Sequence, residues 1–306
     1  MTQHGSEEAI RAAAALLEAN PDFRVIRRLV ERSDFGVTLA GPVAAAVVLD
    51  TETTGTSHAS DRVIELGLVK FEYAVQSGEI SRIIDVYSAL EDPGRPIPPE
   101  STAIHGITDD MVAGKRLDDE RIRLLLANVT LVVAHNASFD RAFLEERLPT
   151  FASLPWACSL DQIPWEEEGF RGRKLEYLGW VSGFFYDAHR GEADCRALLE
   201  LLRRPLPKSG KLAFQRLLEA ATEPALRLWA TSSPFETKDV LRERGYRWDP
   251  DRRCWHRVVP KSLAKEESEW LKATVYGGRP AQIEVEVLDA RVRFSGRPGP
   301  KKARVI

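Results

Sequence analysis

Apolar and polar positions along this chain predict strands that give way to alternating helices and strands. Residues 43–49 form an unbroken apolar run, which is typical of a strand buried on both faces. Two further strands are predicted at 62–73 and 80–89, joined by a turn near Gly78. Helices and strands then alternate up to residue 202. This order predicts an α/β domain with a mixed sheet.

The second half of that domain is predicted to contain helices at 118–127, 138–147, 174–184 and 192–202 and strands at 130–133 and near Ala157. Before the domain, residues 7–32 have the spacing of two short helices separated at Pro21, followed by a linker at 36–42.

A Pro- and Gly-containing segment at 205–210 predicts a boundary, and the rest of the chain predicts a small second α/β module. Its elements are predicted as helices at 211–221, 235–244 and 262–275, strands at 226–230 and 283–287, and a hairpin of 246–248 with 255–259. The last residues, 297–306, are expected to fray. The predicted division is an N-terminal helical extension at 1–42, an α/β domain at 43–205 and a basic α/β module at 206–306.

Composition places the chain among ordinary globular proteins. Of 306 residues, 43% are hydrophobic and 29% are charged, which excludes a disordered or collagen-like chain. The longest apolar run is too short to cross a bilayer, and no signal-peptide pattern opens the sequence, so no membrane partner is expected. The 3 cysteines lie far apart, which favours a reducing, cytoplasmic setting.

The net charge of −3 conceals two unlike parts. Up to Pro205 the chain carries 22 basic and 33 acidic residues, a net charge of −11. The remainder carries 21 basic and 13 acidic residues, a net charge of +8. This asymmetry predicts one part that collects cations and another able to meet a polyanion.

Acidic residues occur where the pattern predicts the ends of buried elements. Asp50 and Glu52 follow the apolar run and, two positions apart on a strand, face the same side. Such a pair in a loop is more often a solvated turn, but here a buried strand leads into it. Asp140 and Asp194 each share the apolar face of a predicted helix, although Asp140 at a helix N-terminus is also explained by the helix dipole. Buried acids need a partner, so these positions predict a cation site.

The ligand types narrow the chemistry. Four carboxylates favour Mg²⁺ or Mn²⁺ over zinc, and two such ions stabilise the attacking and leaving oxygens of phosphodiester hydrolysis. His189 precedes the helix of Asp194 and is a candidate general base, although a lone histidine is more often structural.

Residues 44–204 resemble the DEDDh branch of 3′–5′ exonucleases and are similar to the proofreading epsilon subunit of bacterial DNA polymerase III. The residues that carry the resemblance are Asp50, Glu52, Asp140, His189 and Asp194. The resemblance implies a ribonuclease-H-like fold with a five-stranded mixed sheet and release of nucleoside 5′-monophosphates from a 3′ end. It also implies that the four acids hold two divalent ions and that His189 is the general base.

The same resemblance suggests contacts to the terminal nucleotide. The segment 104–108 is similar to the family's segment beside the 3′ nucleotide, which implies a role for His105 and Glu100. Thr53 and Gly55 are inferred to touch that nucleotide through backbone groups. The competing interpretation of 104–108 is a turn followed by the start of a helix.

The C-terminal module combines basic and aromatic residues around its predicted hairpin. Candidate nucleic-acid contacts are Arg247, Trp248, Arg252, Arg253 and Trp255. Such a mixture suits single-stranded nucleic acid, whereas the competing interpretation is a small hydrophobic core with paired arginines at its surface.

The leading hypothesis is a metal-dependent 3′–5′ exonuclease that acts on a single-stranded or frayed DNA 3′ end in proofreading or repair. One alternative is the same chemistry on RNA, as in the RNase T and oligoribonuclease relatives. Another is a subunit of a polymerase or repair complex whose main role is binding.

Overall fold

The computed structural model describes residues 3–306, with side chains from residue 7 onwards. Met1 and Thr2, the start of the predicted extension, lie outside the described residues. Within residues 3–306, no helix has both the length and the apolar character needed to cross a membrane.

The N-terminal extension is only partly helical. Helix α1 (Gln3–Glu18) is present, and its apolar residues Ile10 and Leu16 are 67% and 75% exposed. The second predicted helix is wrong: this stretch contains a two-residue strand, β1 (Arg27–Arg28), parallel to Phe184–Phe185. Backbone hydrogen bonds from Arg27 and Leu29 to that segment satisfy groups that a short helix would leave open at its ends.

A mixed five-stranded sheet forms the centre of the molecule, as the sequence predicted. Its strands are β2 (Val43–Thr53), β3 (Val63–Ala74), β4 (Ile80–Leu90), β5 (Val129–Ala134) and β6 (Trp156–Cys158). The order is β4-β3-β2-β5-β6; β2, β3 and β4 are antiparallel neighbours, whereas β5 and β6 run parallel to β2. The fold is α/β and ribonuclease-H-like.

Helices cover both faces of this sheet. They are α2 (Pro99–His105), α3 (Asp109–Val112), α4 (Asp119–Leu125), α5 (Ala137–Arg147), α6 (Ser159–Gln162), α7 (Leu175–Val181) and α8 (Gly191–Leu202), with a 3₁₀ turn at Pro149–Ser153 and strand β7 (Phe184–Phe185) before α8. Leu198 of α8 belongs to the core on one face with Val48, and Phe143 of α5 to the core on the other with Leu49. Successive side chains of the apolar run at 43–49 therefore point to opposite faces of the sheet and pack in two different hydrophobic cores.

A second sheet lies in the C-terminal part. Its strands are β8 (Ala225–Ala230), β9 (Arg247–Asp249), β10 (Cys254–Pro260), β11 (Gln282–Leu288) and β12 (Lys301–Val305), and its helices are α9 (Ala213–Thr222), α10 (Lys238–Glu243) and α11 (Ala264–Trp270). Single 3₁₀ turns occupy Phe235–Thr237 and Lys261–Leu263, and a π-helical turn follows α11 at Leu271–Val275. The strand order is β12-β11-β8-β10-β9, all antiparallel. The expectation that 297–306 frays is wrong, because β12 pairs with β11 along five residues.

The C-terminal part is anchored on helix α5. The guanidinium of Arg141, fully buried, donates hydrogen bonds to the carbonyl oxygens of Arg291 and Arg293, and Trp156 N–H donates to Ala290. Arg141 is adjacent in sequence to Asp140. The segment that follows β11 thus holds the helix that carries one of the candidate ligands.

Close backbone contact sets the position of helix α8. Gly67 of β3 and Gly191 at the start of α8 touch so closely that an added Cβ on Gly67 would lie 2.2 Å from the Gly191 carbonyl carbon. In the sheet register Gly67 is the partner of Asp50. The two glycines therefore bring the first turn of α8, with Asp194, directly beside the end of β2.

We expect Gly67→Ala to destabilise the protein by about 1–3 kcal/mol, because the new methyl group has to push α8 away from the sheet. Gly296→Ala is the control, since an added Cβ there meets nothing within 4 Å. Thermal unfolding of both variants measures the difference. Equal unfolding temperatures would show that α8 does not depend on this contact.

Candidate active site

The structure brings together carboxylates from distant parts of the chain. Asp50, Glu52 and Asp194 each have a ligand oxygen within 4.8 Å of the others. Asp50 and Glu52 project from the end of β2, and Asp194 projects from the first turn of α8. Three of the acids that the sequence analysis singled out therefore form one cluster.

Asp140 reaches the same strand end from the opposite helix. Its Oδ1 accepts hydrogen bonds from the backbone N–H and the hydroxyl of Thr51, at 3.1 and 2.9 Å. Thr51 stands between Asp50 and Glu52, so this pair of bonds locks the start of α5 onto the acidic end of β2. Asp140 is 2% exposed.

Two groups absent from the residues predicted to form the site hold Asp194 in place. The Tyr186 hydroxyl donates to Oδ1 at 2.9 Å, and the Arg190 backbone N–H donates to Oδ2 at 3.0 Å. Burial and the neighbouring carboxylate raise the pKa of Tyr186, so its hydroxyl stays a donor. Tyr186 lies in an irregular segment, and only its proximity to His189 in sequence could have drawn attention to it.

An ion pair between the buried Glu65 and the exposed Arg190 closes the same side of the site. Glu65 is 2% exposed, and it accepts hydrogen bonds from the guanidinium of Arg190 and from the backbone N–H of Gly191. Glu65 is also the cross-strand partner of Glu52. In the sequence, Glu65 is marked only as a charged residue inside the mainly apolar strand β3, and it is not among the predicted site residues.

His189 is accessible and lies just before helix α8, which carries Asp194. Its side chain is 48% exposed, and its Nε2 lies 4.0 Å from Glu176 of α7. Its backbone φ of 64° is left-handed, which turns the chain sharply before α8 begins. The histidine is therefore exposed at the start of this helix rather than packed in the core.

The residues inferred to contact a terminal nucleotide lie around the loop after β2. The Ser101 hydroxyl of α2 donates to the Thr54 carbonyl at 3.0 Å, and this bond holds α2 against the loop. His105 is buried at the end of α2, where its Nδ1 accepts from Ile107 and its Nε2 has no hydrogen-bond partner among the described residues. Burial lowers the pKa of His105, which favours the neutral ring.

The other residues inferred to contact a terminal nucleotide are Thr53, Gly55 and Glu100. The Thr53 hydroxyl donates to the Gly55 carbonyl at 2.6 Å, so this backbone oxygen is already engaged. Gly55 lies so close to Asp61 that an added Cβ would be 2.5 Å from its carboxylate. Glu100 is exposed on the first turn of α2.

The candidate contacts in the C-terminal part lie on the β9–β10 hairpin. Trp248 is 48% exposed, and its ring meets Trp255 edge-on at 5.6 Å. Trp255 also packs on the core of the second sheet. Arg252 pairs with Glu284 at 2.7 Å, whereas the exposed Arg247 and Arg253 form no ion pair with a described residue.

Burial has the largest effect on the electrostatics of the acidic site, and repulsion between the carboxylates adds to it. Burial and then the neighbouring carboxylates raise the pKa of Glu52 to about 8 and that of Asp50 well above its usual range. Burial raises the pKa of Asp140 to about 7 and also raises that of Asp194, although hydrogen bonds from Thr51 and Tyr186 oppose these shifts. Two buried and two half-buried acids that repel one another suit a divalent cation, and their oxygen atoms are the ligands that Mg²⁺ and Mn²⁺ prefer.

These pKa values predict a pH-dependent stability. Since the folded pKa of Glu52 lies above its ordinary value of 4.5, the folded state binds the proton more tightly. The associated stabilisation is complete below about pH 4.5 and is lost as pH rises through about 8. In EDTA we expect the unfolding temperature to fall between pH 5.5 and pH 8, and added Mg²⁺ to raise it more at pH 8.

Glu52→Gln is the matched control for that experiment, because it removes the titrating group and keeps the shape of the side chain. The variant is expected to show a weaker dependence on pH in EDTA. If Mg²⁺ raises the unfolding temperature of the wild type equally at pH 5.5 and at pH 8, the raised pKa of Glu52 is not the origin of the pH dependence.

Comparison with known proteins identifies the family. Residues 47–202, just over half of the 306, match the family described as Exonuclease. The chain belongs to the exonuclease family. It is 34% identical over 166 residues to the DNA polymerase III subunit epsilon of Treponema pallidum, an alignment that covers 51% of this chain and 74% of that protein.

Longer relatives contain the domain as a small part. The DNA polymerase III PolC-type protein of Thermotoga maritima is 39% identical over 134 residues, which are 43% of this chain and 9% of that protein. Among solved structures, Exonuclease X in complex with 5′ overhanging duplex DNA is 27% identical, with a TM-score of 0.42, over 57% of this chain and 98% of that one.

Proposed function

We propose that this nuclease is a metal-dependent 3′–5′ exonuclease that removes nucleoside 5′-monophosphates from the 3′ end of DNA. The observation that carries the proposal is the convergence of Asp50, Glu52 and Asp194 within 4.8 Å, with His189 exposed just before the helix of Asp194. The epsilon subunit of T. pallidum, which is a DNA polymerase III subunit by name, supports DNA as the substrate and proofreading or repair as the setting.

In this proposal each residue has a defined task. Asp50, Glu52, Asp140 and Asp194 would hold two Mg²⁺ or Mn²⁺ ions. Such ions, when bound, supply positive charge to the attacking and leaving oxygens of an in-line displacement at phosphorus. His189 takes the proton of the attacking water, for which its exposed position just before the helix of Asp194 is suitable. Tyr186 keeps the Asp194 carboxylate oriented.

The terminal nucleotide is proposed to lie against the loop after β2. His105 offers a buried nitrogen without a partner among the described residues. Thr53 ends β2, Gly55 follows it in the loop, and Glu100 lies on the same helix α2 as His105. These groups would orient the last nucleotide, so that the scissile phosphodiester faces the carboxylates.

A digestion assay tests the proposed activity and its substrate. The assay compares 5′-labelled single-stranded DNA, a duplex with a 3′ mismatch, and RNA of the same sequence, each with Mg²⁺ or Mn²⁺. We expect ladders that shorten from the 3′ end of single-stranded and mismatched DNA. Faster degradation of RNA would support the ribonuclease alternative, and no degradation of any substrate would contradict exonuclease activity.

The hairpin residues Trp248 and Arg253 are proposed as a second contact to single-stranded DNA, whereas Arg247 precedes Trp248 on β9 and faces the other side of the sheet. Trp248→Ala is expected to weaken binding by about 5- to 150-fold, which corresponds to a stacking contribution of ~1–3 kcal/mol. Trp248→Phe keeps an aromatic face and is expected to retain most of the affinity. Fluorescence anisotropy in EDTA measures both variants; unchanged affinity in Trp248→Ala would assign the tryptophan to packing alone.

A further inference from the structure

A basic cleft opens beside the acidic site. Its cavity has a volume of about 390 Å³ and is lined by charged residues from three parts of the chain, over an apolar floor from β4. The polar residues that line it are Glu65, Ser88, Lys115, Arg116 and Arg190. Three cations against one carboxylate give this lining a net charge of +2, although the part of the chain up to Pro205 carries −11.

The register of the sheet fixes where this cleft lies. Asp50 pairs with Gly67 and Gly67 pairs with Ser88, so these three residues form one row across β2, β3 and β4. Paired residues of antiparallel strands project to the same face. Two interstrand spacings place Ser88 roughly 10 Å from Asp50, on the face where the carboxylates converge.

The cations of the cleft differ in how they are held. Arg190 is fixed by its bonds to Glu65, and its own backbone N–H holds Asp194, so one residue joins the cleft to the acidic site. Lys115 and Arg116, in the loop after α3, are exposed and form no ion pair within 4.0 Å among the described residues. Exposed cations next to a fixed arginine are a suitable binding site for phosphate oxygens.

We propose that this basic cleft binds a backbone phosphate of the substrate strand, on the 5′ side of the terminal nucleotide. The inference rests on the proposed exonuclease function. A distance of roughly 10 Å corresponds to about three nucleotides of a stacked strand at 3.4 Å each. Lys115 and Arg116 therefore determine the affinity for DNA strands longer than about three nucleotides, and they have little effect on the rate of hydrolysis.

The double variant Lys115→Ala/Arg116→Ala tests the cleft. For a single-stranded 20-nucleotide DNA, we expect KM, and Kd measured by anisotropy in EDTA, to rise by about 5- to 30-fold. The kcat is expected to stay within about twofold, and hydrolysis of a dinucleotide to be unaffected. The slope of log Kd against log salt is expected to decrease by about 1.4, the value for two phosphate contacts on a single strand.

Arg11→Ala/Lys265→Ala is the matched control, because it removes one exposed arginine and one exposed lysine outside the cleft. An unchanged KM and Kd for the 20-nucleotide strand in the cleft variant would overturn the proposal. An equal rise in KM for the dinucleotide would also overturn the proposal, because the cleft would then bind the terminal nucleotide. An equally large loss of inhibition by nucleoside 5′-monophosphate would overturn it too, because the cleft would then bind the released nucleotide. Inactivity of the wild type would contradict the proposed function, whereas the Kd measurement would still decide whether the cleft binds DNA.

Discussion

Replacing Asp50 by asparagine is expected to reduce the rate of phosphodiester hydrolysis by about 10³-fold or more, since loss of bound cations removes several kcal/mol of charge stabilisation. The same substitution removes one of four repelling acids. We therefore expect Asp50→Asn to be more stable than the wild type in EDTA at pH 8, by about 0.5–2 kcal/mol. Activity and stability are expected to change in opposite directions.

The control for this experiment is Asp110→Asn, which changes an exposed carboxylate on α3 outside the site. Initial rates on labelled DNA and thermal unfolding in EDTA measure both variants. An Asp50→Asn enzyme with a substantial rate, or one less stable than the wild type in EDTA, would contradict the assignment of Asp50 to a repulsive, cation-binding cluster.

Removing the imidazole of His189 is expected to lower the rate by about 10²- to 10⁴-fold, the usual contribution of a general base. Glycine is the appropriate replacement, because the backbone φ of 64° at this position is left-handed and alanine would add strain. His189→Gly is expected to bind Mg²⁺ or Mn²⁺ as the wild type does, and added imidazole is expected to restore part of the rate.

Two measurements distinguish a general base from a metal ligand or a structural residue. They are calorimetric titration of His189→Gly with Mn²⁺ and its rates of hydrolysis with and without imidazole. Loss of cation affinity in His189→Gly would make the histidine a ligand or a structural element. A rate equal to that of the wild type would exclude proton transfer by His189. Each outcome differs from that of Asp50→Asn, where we expect affinity and rate to be lost together.

The sequence predicts the acidic site well because local patterns encode it. Asp50 and Glu52 end an apolar strand and are half-buried, whereas Asp140 and Asp194 occupy apolar helix faces, so the burial of these two follows from periodicity. The central sheet is predicted for the same reason. The contacts that support these acids are non-local: Tyr186 and the pair of Glu65 with Arg190 meet the site only after the chain has folded.

The predicted elements that the structure contradicts lie where the pattern of apolar and polar residues carries little information. Strand β12 is exposed at every position, so no apolar alternation marks it, and its pairing with β11 decides its structure. The second helix predicted after Pro21 is absent, and this stretch instead contains the two-residue strand β1, which pairs with β7. The basic cleft combines the loop of Lys115 with β4, which no sequence pattern links.

The most direct test of the central claim follows the oxygen that enters the product. Single-stranded DNA is digested in H₂¹⁸O with Mg²⁺, and the products are analysed by mass spectrometry. The account predicts one ¹⁸O in each released nucleoside 5′-monophosphate, a 3′-hydroxyl on the shortened strand, and no reaction with Asp50→Asn or in EDTA. Unlabelled monophosphate, a 3′-phosphate on the strand, or cleavage that persists in EDTA would contradict hydrolysis by this carboxylate site.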